Sequence, residues 1–446
     1  MTTLTRRARR IAVAVAGLAA VCALTVPAAA ARASTRGYTP SSNEWWMANW
    51  DVPQKVWPVT EGSGVTVAVV DSGVQASERD LQGVVKPGAD ELGDSGNGEH
   101  DYAPNDGHGT AVAALIAGQG ADTGTVGIAP QAKILPVHAI DPSAGMAPVA
   151  NGIKYAVDHG ADVINLSVGA ATLSATQCDP AVQDAVSYAL KHNVVVVAGA
   201  GDANLDGPRP EEPASCAGVL AVGGVESNGS LWSHSVQQPY VSVAAPADHM
   251  VYVGADGRFT TIGAGNSFSA PLVSGAAALI RSKYPSMPWY QVDQRLIDTA
   301  IPDGQVPNDG TGYGIIDINK ALSTSPPASG PNPPYRRYQT WLKSTGQSGG
   351  QGAQAAPSAS GESSGGLGTL FLIIGIVAVV LIVAAIVIIV LVTRGRNRRG
   401  PRNPGGGYPL NAYGLPPGQY PQPGPYAPPP GQYPPPSGQQ YPPPNR

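Results

Sequence analysis

The chain has 446 residues, 42% of them hydrophobic, with 56 glycines, 44 prolines and a formal net charge of −4. It contains no basic patch with interleaved aromatics, so nucleic acid is not an expected partner. With three cysteines it also lacks the ligand count of a zinc site, and no calcium-site loop stands out; no metal or cofactor is expected.

In chain order, residues 1–33 open with Arg6, Arg7, Arg9 and Arg10, run apolar over 11–26 and end in Ala31-Arg32-Ala33. That is the three-part layout of a secretory signal peptide, cut near Ser34. Cys22 falls inside it. Residues 34–62 form an N-terminal extension carrying Trp45, Trp46, Trp50 and Trp57, too short to build a core of its own.

Residues 63–323 have the size of one large α/β domain. The runs at 65–70, 132–140, 162–168 and 194–199 are apolar and β-branched, which predicts buried strands. Helical patterns alternate with them at 109–118, 147–159, 179–192 and 269–283. Strand–helix alternation with all-apolar strands predicts a mostly parallel sheet covered on both faces. Cys178 and Cys216 remain after export and read as a disulfide, adding about 2–4 kcal/mol.

The segment 324–366 is rich in Ser, Gly, Pro and Gln and reads as a flexible stalk. The segment 370–392 carries no charge and is long enough to cross a bilayer core of roughly 30 Å. Arg394, Arg396, Arg398, Arg399 and Arg402 follow at once, so the positive-inside bias puts the C-terminus in the cytoplasm and the domain outside. Residues 393–446, basic and then built of GQYPPP-like units, form a tail that cannot bury a core.

Three polar residues sit where catalytic groups collect in parallel sheets, beyond the carboxyl ends of strands. Asp71 follows the first strand in VAVVDSGV, His108 opens a helix in GHGTAVAALIAG, and Ser267 opens another in GNSFSAPLVSG. Each alone has an ordinary explanation: a turn aspartate, a loop histidine, a helix-capping serine. The order Asp, His, Ser in three glycine-flanked frames is one known arrangement of a serine-nucleophile triad.

Those three motifs resemble the active-site motifs of the subtilisin-like serine proteases, and VINLSVG and GYGIIDINKAL resemble further landmarks of that family. Signal peptide, tryptophan-rich extension, stalk and C-terminal anchor together resemble the mycosins, membrane-anchored subtilisin-like proteases of actinobacterial type VII secretion systems. The resemblance implies a three-layer subtilisin-like fold plus one C-terminal transmembrane helix. It implies catalysis by Asp71, His108 and Ser267 on an exported protein or peptide, near a type VII secretion membrane complex. It makes Ser167, Val168 and Gly169 the edge on which the peptide lies and Gly201 part of the pocket floor. It also implies an extension wrapped along the domain, anchored by its aromatics.

Two positions depart from the pattern. Asp202 stands where the family has an asparagine that donates to the oxyanion, and Asn266 stands where it has Thr before the nucleophile. Three accounts follow: a protonated Asp202 donates, Asn266 supplies the lost amide, or the domain is a weakly active or inactive scaffold for the secretion complex.

Overall fold

The computed structural model describes residues 37–93, 96–103, 107–141, 143–203, 207, 209–324 and 332–347. Seven strands form one sheet: β1 (Thr66–Asp71), β2 (Ala89–Asp90), β3 (Lys133–His138), β4 (Val163–Leu166), β6 (Val195–Gly199), β8 (Leu220–Val225) and β9 (Val241–Pro246). Their order is β2-β3-β1-β4-β6-β8-β9, and every pairing is parallel. Two short antiparallel pairs lie outside it, β5 (Ala170–Ala171) with β7 (Glu211–Glu212) and β10 (Met250–Val253) with β11 (Phe259–Gly263). The strands read as unbroken apolar runs because both faces of the sheet are covered.

The helices are α1 (Trp45–Asn49), α2 (His108–Ala117), α3 (Ala147–Asp158), α4 (Pro180–Lys191), α5 (Asn266–Lys283), α6 (Trp289–Asp298), α7 (Ile318–Ser323) and α8 (Pro333–Ser344). Strand alternation assigns them to faces. Gly152 of α3 lies so close to Val70 and Val137 that an added Cβ would meet their methyls at 2.9 and 3.0 Å. On the opposite face, a Cβ at Gly109 of α2 would lie 3.3 Å from the Asp71 Cβ. Ser274 of α5 donates at 2.8 Å to Asn165, the strand partner of Val69, which shares the Asp71 face. Helices α2 and α5 therefore cover the face to which Asp71 points, and α3 covers the other with α4 packed on it.

Strand β1 is followed in space by β3 on one side and β4 on the other, so the winding reverses beside it. Ligands of open parallel sheets sit at such a reversal, outside the carboxyl ends of the strands.

The extension lies on the body of the domain. Trp46 and Val52 are fully buried, and Trp57 is nearly so. Trp57 Nε1 donates to Ile128 O at 3.0 Å, Ser41 N donates to Gly124 O at 2.9 Å, and Val126 N donates to Glu44 Oε1 at 3.1 Å. The extension thus grips the 124–128 turn that follows α2. Truncating Trp46 to Ala is expected to cost about 3–5 kcal/mol, as for other large buried aromatics. Urea unfolding of the domain measures this, and a loss below about 1 kcal/mol would leave the extension a mere surface strand.

The stalk assignment for 324–366 is corrected over 333–344, which is helix. Asn332 caps α8 by accepting from Tyr335 N at 2.8 Å, and two prolines fill the first turn, where no N–H partner is lost. Tyr338 and Leu342 are buried on one side, and Tyr338 meets Trp289 at 6.0 Å between ring centres. A window rich in Ser, Gly and Pro hid this short amphipathic pattern.

Among the described residues no helix is long and apolar enough to cross a membrane. The signal peptide, the 370–392 segment and the tail lie outside the described residues. Cys178 and Cys216 form a disulfide that ties the start of α4 to the segment after β7.

Candidate active site

Asp71 ends β1 with its side chain fully buried on the α2 face. Its Oδ1 accepts from Ser72 N at 2.8 Å and lies 2.7 Å from His108 Nδ1. The imidazole keeps 35% of its side-chain surface exposed, so its other nitrogen faces the cleft. Two glycines allow this approach. Gly107 has φ 69° and leaves no room for a Cβ beside Ala255; Gly109 lets α2 come so near that a Cβ would meet Gly73 O at 2.0 Å.

Two residues not singled out by the sequence pattern lock this arrangement. Ser72 Oγ donates to Asp101 at 2.8 Å and accepts from Gly109 N at 3.0 Å, while Asp101 accepts from Thr110 N at 2.7 Å. They satisfy the open first-turn N–H groups of α2 and fasten it to β1. Burial alone would push the His108 pKa down. The Asp71 carboxylate, by charge and hydrogen bond, together with Asp101 and Asp202, outweighs burial and holds the imidazole above its ordinary value.

Ser267 stands in the first turn of α5. Ser167 Oγ donates to Ser267 O at 2.7 Å and is itself held by Asn165 Nδ2 at 2.9 Å. Asn165 lies inside the DVINLSV run, where nothing in the sequence marked it as the brace of Ser167. The Phe268 ring lies 6.4 Å from the imidazole, so the start of α5 and the start of α2 face each other. Among the described residues no hydrogen bond joins Ser267 Oγ to His108; such bonds are commonly loose without substrate. Nor does any described acceptor engage Ser267 N–H, which leaves a free donor at a helix N-terminus.

Asp202 lies in the same place. Its Oδ1 accepts from Asn266 N at 2.8 Å, and a Cβ at Gly265 would lie 3.0 Å from both Asp202 Oδ2 and Ser267 Oγ. Both oxygens therefore border one narrow space. Burial raises the Asp202 carboxyl above its usual range, against the Asn266 N–H and the positive charge of His108 and His234, which lower it. Asn266 is 1% exposed, and its Nδ2 donates to Gly201 O at 2.7 Å and Ser235 Oγ at 3.0 Å. Its amide braces the loop from within. The expectation that Asn266 supplies an oxyanion donor is corrected accordingly: its only amide donors are already engaged in the interior.

Residues 167–169 separate two cavities. One of about 780 Å³ is lined by Asp71, Tyr102, His108 and His138; the other, of about 150 Å³, by Gly201, Asp202, Glu211 and Ser267. Segment 167–169 lines both. Asp71 and His108 thus line the larger cavity, Gly201, Asp202 and Ser267 the smaller, and the shared segment 167–169 lies between them at the carboxyl edge of β1, β4 and β6. Glu211, between two prolines' reach in a loop-like stretch, gave no signal. Among the described residues, one trio of potential metal ligands occurs, Cys178, Glu212 and Cys216, and its two sulfurs are bonded to each other.

The profile of the subtilase family matches residues 62–318. The chain is 33% identical over 326 residues to mycosin-1 of Mycobacterium tuberculosis, covering 61% of this chain and 72% of that protein. It is 32% identical to fervidolysin of Fervidobacterium pennivorans over 65% of this chain, and spans only 45% of that protein's length. Among solved structures it resembles MycP1, described as a serine protease and an essential component of the type VII (ESX-1) secretion system. That match has a TM-score of 0.56 at 32% identity and covers 66% of this chain and 90% of the other. The chain belongs to the subtilase family and, within it, is related to the mycosins.

Proposed function

We propose that this protein is an extracytoplasmic serine endopeptidase, tethered to the cell membrane by segment 370–392, that processes exported proteins beside a type VII secretion complex. The observation that carries the enzymatic part is the 2.7 Å contact of His108 Nδ1 with buried Asp71, in a cavity that shares segment 167–169 with the cavity lined by Ser267. Asp71 fixes the tautomer with its proton on Nδ1 and leaves Nε2 as a base. Ser267 Oγ gives its proton to Nε2 as it bonds to the scissile carbonyl carbon, and the imidazolium then passes that proton to the departing amine. Water repeats the exchange in reverse and frees the acid product. The oxyanion formed in each half is met by Ser267 N–H and, in this reading, by a protonated Asp202.

Labelling of the full-length protein with a fluorophosphonate serine probe tests this. Labelling is expected in the native chain and absent in Ser267→Ala; an unlabelled native chain with an intact fold removes the enzyme.

A second reading is favoured by Asp202 itself, since an ionised carboxylate at that place repels the oxyanion. In it the domain is a weakly active or inactive scaffold that stabilises the secretion complex. Secretion lost on deletion but kept in a Ser267→Ala strain would support the scaffold.

A further inference from the structure

The small cavity beside Ser267 has an unusual wall. Strand β7 pairs with β5 so that Glu211 stands opposite Ala171, next to the peptide-bearing edge at 167–169. Its backbone is fixed by Glu211 N donating to Tyr240 Oη at 3.0 Å, and that hydroxyl donates in turn to Ala200 O at 3.0 Å. The carboxylate projects between Gly169 and Gly201: a Cβ at Gly169 would meet Glu211 Oε2 at 2.1 Å, and one at Gly201 would meet Cδ at 2.5 Å. Both glycines are residues expected to hold the segment of substrate before the cut.

A cavity of about 150 Å³ has room for on the order of five waters, or for one long side chain. Two carboxylates line it, Glu211 and Asp202, and among the described residues no cation is set against Glu211. Burial and the neighbouring Asp202 push Glu211 up to about 7, the mark of a carboxylate short of a partner. Gly169, Gly199, Gly201 and Val168 line the cavity beside the acids, which leaves room for the methylenes of a long amphipathic side chain while its head reaches the carboxylate.

We propose that Glu211 is a specificity residue that selects a lysine or arginine immediately before the scissile bond. The proposal rests on the protease reading above. The cationic head forms a charge-assisted hydrogen bond with Glu211 in the cavity wall, and the carbonyl that follows it lies at Ser267. A neutral side chain leaves two half-buried acids lining one cavity, and an acidic one adds a third. Selection therefore acts through repulsion as well as attraction.

The test uses the full-length protein and fluorogenic peptides that differ only at the residue before the cut: Arg, Lys, Leu, Ala or Glu. A fluorophosphonate probe, which does not engage the cavity, reports the nucleophile independently. Arg and Lys peptides are expected to exceed Leu in kcat/KM by roughly ten- to hundredfold, the factor one hydrogen bond to a charged group contributes. Glu211→Gln is expected to collapse that ratio towards unity, and Glu211→Lys to turn the preference to the Glu peptide. Probe labelling of each variant shows that the fold and the nucleophile survive. Probe labelling with no preference for Arg or Lys, or with a preference unchanged in Glu211→Gln, overturns the inference and leaves the protease standing. Preference for Ala, widened to Leu by Glu211→Gln, would make Glu211 a plug and equally overturn it. A native chain that the probe does not label removes the protease and this inference together.

Discussion

Replacing Ser267 with Ala is expected to lower kcat on a peptide substrate by roughly 10³–10⁴, with KM changed by no more than a fewfold. Loss of the nucleophile from a subtilisin costs on the order of 10⁶ in kcat, and what remains is oxyanion stabilisation and binding. The native chain starts lower. With Asp202 in place of an amide donor, it forgoes on the order of 10²–10³, the usual worth of one such donor. The difference between those factors sets the expected drop. KM is spared because the hydroxyl contributes to the transition state and hardly to ground-state binding, which runs along segment 167–169. Steady-state kinetics of the ectodomain, with contaminating protease excluded by the serine probe, measure it. Equal rates in the two proteins would mean that His108 and Asp71 form a structural ion pair and nothing more.

The sequence made the frame of this site legible because parallel-sheet chemistry is written locally. Strands buried on both faces carry unbroken apolar runs, and the turn after each run exposes its polar residue at the carboxyl edge. Asp71 sat in such a turn, while His108 and Ser267 each opened a helix in a glycine-flanked frame. What lay hidden was tertiary. Ser72 and Asp101 look like ordinary turn residues until α2 is placed on β1, when they become the acceptors of its first-turn N–H groups. Asn266 read as a spare amide because its inward partners, Gly201 and Ser235, are 65 and 31 residues away. Strands β8 and β9 were not separated out, since LAVGGV and VSVAAP contain the glycine and proline that usually break a pattern. Helix α8 was lost in the composition around it. Glu211 became visible only when two glycines distant in sequence closed around its carboxylate.

Asp202→Asn gives the other large effect, and its pH dependence separates the accounts of this residue. The substitution is nearly isosteric. Oδ1 can still accept from Asn266 N–H, so the cap on α5 persists, and Nδ2 takes the place of the oxygen that borders Ser267 Oγ. In the native chain the active form needs His108 neutral and Asp202 protonated at once. His108 is held above its ordinary value, whereas Asp202, although raised, starts from a carboxylic acid's far lower one. Wherever the Asp202 pKa lies below that of His108, the competent pair is a minority form and the opposite pair, imidazolium facing carboxylate, outweighs it. Above the His108 pKa the competent fraction falls tenfold per pH unit as the remaining protonated Asp202 disappears. Asparagine cannot ionise, so the variant should rise through the His108 pKa and stay level above it. The ratio of variant to native kcat/KM is expected to reach about 10²–10³ on the alkaline side, climbing with pH. A ratio independent of pH would show that proton transfer at Asp202 has no part in the reaction. A ratio of one throughout would remove Asp202 from the oxyanion site.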